Sequence, residues 1–163
     1  MRNFAKLVIS IAIAELAGVM GSLFTIPAIP TWYATLAKPA LSPPNWVFGP
    51  VWTTLYALMG IAAFLVWREG LDRRDVRRAL IIFDVQLILN VLWSFLFFGL
   101  HNPIAALVEI VVLWCAILVT IIVSHRVSRP AAYLLIPYLA NKYYIRVLPK
   151  DRPQAPGKCE PYV

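Results

Sequence analysis

Apolar residues run through this chain in stretches far longer than a globular core requires. Four of them, at residues 7–26, 47–67, 79–100 and 104–123, approach the roughly 20 residues an α-helix needs to cross a ~30 Å hydrocarbon layer, and a fifth at 131–148 is broken by polar positions. None alternates with the period of two of a barrel strand. A segment inside lipid must also satisfy its backbone hydrogen bonds internally, as a helix does. The pattern predicts an all-α membrane protein: a five-helix transmembrane bundle over residues 1–148, with an irregular fifth helix. Residues 149–163 are interspersed with Pro149, Pro153, Pro156 and Pro161 and cannot bury apolar surface, so a disordered C-terminal tail is expected.

Composition agrees. The chain is 61% hydrophobic and 14% charged, with a mean hydropathy of +0.73, which excludes an ordinary soluble domain. Arg2 and Lys6 before an apolar stretch holding Ala12-Ile13-Ala14 resemble a secretory leader, but apolar character resumes beyond Glu15 and favours a retained first helix. Along that helix Ala14, Gly18 and Ser22, and again Ala17, Gly21 and Thr25, recur every four residues and make grooves for close packing. Pro27 and Pro30 are expected to end it.

The net charge of +7 reports orientation rather than nucleic-acid binding. If five helices alternate, Arg2, Lys6, Arg68, Arg73, Arg74, Arg77, Arg78, Arg126 and Arg129 share one side, and the opposite loops hold only Lys38. The positive-inside rule then places the N-terminus in the cytoplasm of a multi-pass integral membrane protein and turns the 27–46 loop outward. That loop and the helix start after it carry Trp32, Tyr33, Trp46 and Trp52, stiffened by Pro39, Pro43, Pro44 and Pro50. Large faces with polar handles on a restrained path suit the lid of a ligand pocket, with Lys38 at the rim to meet a carboxylate.

On the third helix Gln86, Asn90, Trp93 and Phe97, spaced four, three and four, share one stripe. Two amides inside a membrane helix are either interhelical glue or pocket wall; the aromatic lid above favours a pocket for a flat, conjugated guest. Among the acids within helices, Asp84 is expected to snorkel towards Arg78, Glu15 to serve helix packing, and Glu109, within two turns of the outer end, to be reached by water. His101-Asn102-Pro103 forces a tight turn, where His101 is a solvated histidine and only weakly a haem ligand. Cys115 and Cys159 indicate neither disulfide nor metal, no metal-ligand cluster is present, and no nucleotide-binding, nucleophile-elbow or zinc-protease motif occurs.

Ala17-Gly18 and Gly21-Ser22, Trp32-Tyr33 with Lys38-Pro39, Pro43-Pro44, Pro50-Val51-Trp52, Leu55-Tyr56, Met59-Gly60, Gln86-Leu87, Leu89-Asn90, Trp93, Phe97-Phe98-Gly99 and Pro137-Tyr138-Leu139 occur in this order. Together they resemble the TspO/translocator protein family, also called peripheral benzodiazepine receptor or tryptophan-rich sensory protein. The resemblance implies a five-helix bundle that dimerises. It implies a pocket under the first loop for porphyrins such as haem and protoporphyrin, for benzodiazepine-type ligands and, in some members, for sterol. Positions matching the family's pocket are Trp52, Tyr56, Asn90 and Trp93, with Trp32 and Tyr33 in the lid. The implied function is a receptor or carrier that binds porphyrin as ligand, with no required cofactor, in transport or stress signalling; the alternatives are a light-dependent porphyrin-degrading enzyme and a signalling scaffold. After Ala140 the chain reads Asn141-Lys142-Tyr143-Tyr144-Ile145-Arg146, where the family continues with a tryptophan and an apolar helix. One tryptophan implicated in the family's photochemistry is thereby lost, and a tilted, shortened fifth helix is expected.

Overall fold

A computed structural model describes residues 2–35 and 45–144, and the side chains of residues 3–33 and 49–140. Every regular element among them is helical: α1 (Arg2–Ala28), a single turn α2 (Trp32–Thr35), α3 (Asn45–Trp67), α4 (Arg74–Ser94) continued by a π-helical turn (Phe95–Gly99), α5 (Pro103–Val127) and α6 (Arg129–Tyr144). Four of these helices are long and apolar enough to cross a membrane: α1, α3, α4 with its π turn, and α5. The expected tail at 149–163, and residues 145–148 of the expected fifth helix, lie outside the described residues.

The helices extend past their apolar runs because hydrogen-bonded ladders continue into polar ends. α4 starts at Arg74 rather than at residue 79, so Arg74, Arg77 and Arg78 belong to the helix. Asp75 sits in its first turn, where a negative charge complements the helix dipole, and both guanidinium donors of Arg73 reach its carboxylate at 3.2 and 2.6 Å. Pro27 does not end α1; it lies inside the last turn, and the helix stops at Ala28, ahead of Pro30. Pro103 opens α5 at a position where its missing N–H costs nothing, and Asn102 Oδ1 accepts from Ala105 N at 3.0 Å as the cap.

Helix neighbours form a closed ring in the order α1, α3, α6, α5, α4, with α4 returning to α1. Each helix turns one stripe inward. On α4 the buried positions are Val76, Ala79, Phe83, Gln86, Leu87, Asn90 and Trp93, and on α5 they are Ala106, Glu109, Leu113, Ile117, Thr120 and Ser124. Alternating spacings of three and four keep such positions on one face. Large apolar side chains such as Phe4, Leu16, Leu23, Ile88, Ile104 and Val108 stand on the outside. The outer surface is thus apolar like the core, and a few polar side chains, Gln86, Asn90, Glu109 and Thr120 among them, are buried.

Small residues set how closely α1 approaches. A Cβ built on Gly60 of α3 would lie 2.5 Å from Ile11 Cα and 3.0 Å from Ser10 O, so the two backbones touch there. Ser22 and Thr25, counted in the grooves of α1, instead return their hydroxyls to their own helix, to Val19 O at 2.7 Å and Gly21 O at 3.0 Å. Asp84 is exposed beside Ile81, Val85 and Ile88 on the outer face of α4, without the Arg78 ion pair that closer snorkelling would give. Gly60→Val is expected to destabilise the protein by about 2 kcal/mol through overpacking, measured by denaturation in mixed micelles. Gly49→Ala, where no atom lies within 4 Å of the added Cβ, should not.

Candidate functional site

The stripe on α4 faces the interior, with Gln86, Asn90, Trp93 and Phe97 exposed by only 0, 1, 6 and 3%. At its aromatic end the helix changes pitch. Over Phe95–Gly99 it widens to a π turn, and Leu100 N donates to Phe95 O, five residues back, at 2.9 Å. A π turn inserts one residue and shifts the register of the positions that follow it. Phe97 and Phe98, within this turn, are both buried, with rings 4.8 Å apart and nearly perpendicular at 86°. Trp93 stacks on Phe97 at 5.2 Å and 8°, and meets Phe98 edge-on at 5.9 Å.

The short turn α2 seats the first two lid residues on this aromatic wall. Trp32 meets Phe97 at 5.2 Å and 70°, Tyr33 meets Phe98 at 5.8 Å and 60°, and the Trp32 ring also lies against the His101 imidazole at 4.6 Å and 30°. His101 has a φ of 50°, a left-handed backbone uncommon for a residue with a Cβ. It is exposed, as expected of a turn histidine, but its ring braces the lid. Burial pushes the Tyr33 phenol above its ordinary range, so it remains a hydrogen-bond donor. Lys38, Pro43 and Pro44 lie outside the described residues; Trp46 falls on α3 with its side chain outside the described set.

Below the aromatic wall the site becomes polar. Asn90 Nδ2 donates to the Tyr56 hydroxyl at 2.5 Å, joining α4 to α3 inside the protein. Tyr56 is held from the other side by α1, since a Cβ on Gly18 would stand 2.6 Å from its ring carbons Cδ2 and Cε2. Trp52, half-buried one turn nearer the aromatic end, tilts against Tyr56 at 5.9 Å and 36°. Gln86 lies one turn deeper than Asn90. Glu109 on α5 is 7% exposed, which corrects the expectation of a water-reached carboxylate: it occupies the inward stripe between Ala106 and Leu113. Tyr138 on α6 is fully buried as well. Buried polar side chains thus come from four helices, α3 to α6, and Tyr56 and Asn90 are bonded directly.

The profile of the TspO/MBR family matches residues 10–148. The chain belongs to this family. It is 47% identical over 137 residues to the tryptophan-rich protein TspO of Archaeoglobus fulgidus, covering 84% of this chain and 88% of that protein. It is 39% identical over 127 residues to the translocator protein of Bos taurus, covering 77% and 75% of the two chains. Protein CrtK of Rhodobacter capsulatus is 34% identical over 123 residues, covering 76% and 75%. As a TspO/MBR protein with several long apolar helices, it is a multi-pass integral membrane protein. The family match continues through the polar stretch that begins at Asn141, where α6 keeps its helical backbone to Tyr144.

Within this TspO/MBR chain, Trp32, Tyr33, Trp52, Tyr56, Asn90, Trp93 and Phe97 come together, with Gln86 one turn deeper. Phe98 joins the same contacts through Tyr33 and Trp93, and Gly18, in the packing groove expected of α1, meets the Tyr56 ring. Tyr56→Phe removes the acceptor of Asn90 and should lower stability by about 1 kcal/mol, as read by denaturation in micelles. Gly18→Val should cost more by displacing the ring, and its penalty should shrink in a Tyr56→Ala background, where nothing remains to displace.

Proposed function

We propose that this protein is a membrane receptor or carrier that takes a flat tetrapyrrole, such as haem or protoporphyrin, between the Trp32 and Tyr33 lid and the interior stripe of α4. The observation that carries the proposal is the meeting of five aromatic side chains, Trp32, Tyr33, Trp93, Phe97 and Phe98, together with the Trp52–Tyr56 pair and the buried Asn90–Tyr56 hydrogen bond. Conjugated plates are recognised by apolar burial and ring contacts, and a few fixed polar groups set their orientation. Asn90 is such a group, because its bond to Tyr56 fixes the amide plane. Lys38, outside the described residues, is the ammonium this reading pairs with a pigment carboxylate.

The same proposal has five crossings, with α6 as the fifth. The end bearing Lys6, Arg68, Arg73, Arg74, Arg77, Arg78, Arg126 and Arg129 faces the cytoplasm by the positive-inside rule, and the lid faces the opposite compartment. The name of the cattle relative, translocator protein, agrees with a carrier. Pairing of two copies is part of the proposal and rests on the family resemblance. Trp52→Ala and Asn90→Ala should each weaken protoporphyrin binding roughly fivefold to tenfold, equivalent to ~1 kcal/mol or slightly more, in titrations that follow quenching of intrinsic fluorescence. Unchanged titrations in both variants would remove this placement of the pocket.

A further inference from the structure

Gln86 is fully buried on the inward stripe of α4, and neither its Nε2 nor its Oε1 meets a hydrogen-bonding group among the described residues. Buried amides are nearly always paired, and leaving one unmet costs stability that a leucine of similar volume would not. Its position gives this cost a use. It lies four residues, about 6 Å along the helix axis, beyond Asn90 on the face that also carries Trp93 and Phe97. A guest entering past those rings meets Asn90 first, an amide already committed in part to Tyr56, and Gln86 last.

We infer that Gln86 recognises a neighbouring N–H and C=O on the buried end of the ligand, a lactam or secondary amide, through a pair of hydrogen bonds. This rests on the pocket proposed above and adds which flat pigment fits it best. A carboxamide offers an acceptor and a donor side by side, and a lactam edge is the matching donor and acceptor. A carboxylate is a poor match: Glu109 is buried in the same interior, and the buried polar side chains among the described residues include no lysine or arginine. Pigment carboxylates therefore stay at the mouth while a lactam end goes inward, which favours an open-chain tetrapyrrole with lactam end rings over a closed macrocycle with alkyl edges.

The test titrates the full chain in detergent micelles with biliverdin and with protoporphyrin, which carry the same pair of propionates but differ in their lactam ends. Gln86→Leu should weaken biliverdin roughly tenfold while shifting protoporphyrin by less than about threefold, and the unliganded variant should melt no lower than the parent. Gln86→Met should behave alike. Equal shifts for the two pigments, no shift for either, or a lowered melting temperature of both unliganded variants would overturn the inference. If Trp52→Ala and Asn90→Ala leave both pigments unaffected, the pocket itself is misplaced. If they weaken both while Gln86→Leu does not discriminate, only the role of Gln86 falls.

Discussion

Hydrocarbon around the helices leaves the interior as the place where uncharged polar side chains find partners, and the architecture of this protein follows from that requirement. Thr120 returns its hydroxyl to Ala116 O at 2.7 Å, Thr54 to Pro50 O at 2.8 Å and Thr31 to Pro27 O at 2.9 Å, which satisfies them without help from a neighbouring helix. Amides and phenols are too long or too strongly polar to be absorbed in this way. Asn90 and Tyr56 solve the problem by bonding to each other across α4 and α3, and the inward stripes of α3, α4, α5 and α6 assemble around that bond.

Tyr56 links the packing of the bundle to the chemistry of the site. Its ring fills the space left by Gly18 on α1, and its hydroxyl holds Asn90. The spacing of α1 is therefore felt by Asn90 on α4 through the Tyr56 side chain. The second close contact, Gly60 against Ile11, fixes the same helix lower down, so α1 is pinned at two levels by absent side chains rather than by large ones.

Much of this was legible in advance for a physical reason: long apolar runs, basic ends and a stripe of amides and rings are each expressed within one helix. The shared face of Gln86, Asn90, Trp93 and Phe97 followed from their spacing and its inward orientation from the two amides, while the turn at Asn102-Pro103 followed from the restriction proline places on the residue before it. What escaped depends on more than one helix or on a local change of pitch. Phe98 sits in the π turn Phe95–Gly99, an irregularity that regular periodicity cannot anticipate. Glu109 looked near water when judged by distance from the helix end, but the stripe at Ala106, Leu113 and Ile117 already placed it inward. Gly18 was legible as a groove residue of α1, but not the Tyr56 ring that fills the groove, because that contact joins residues distant in sequence.

The π turn also sets the direction in which α4 hands the chain to α5. A single residue rotates a helix by about 100°, so removing one from Phe95–Gly99 and restoring regular pitch would swing the His101 corner around the axis by that amount. The imidazole would leave the Trp32 ring, and the lid would lose its brace even with every residue of the lid intact. An irregularity of one amino acid thus works as an alignment key: the roof of the site is registered to its wall by a count of residues in α4.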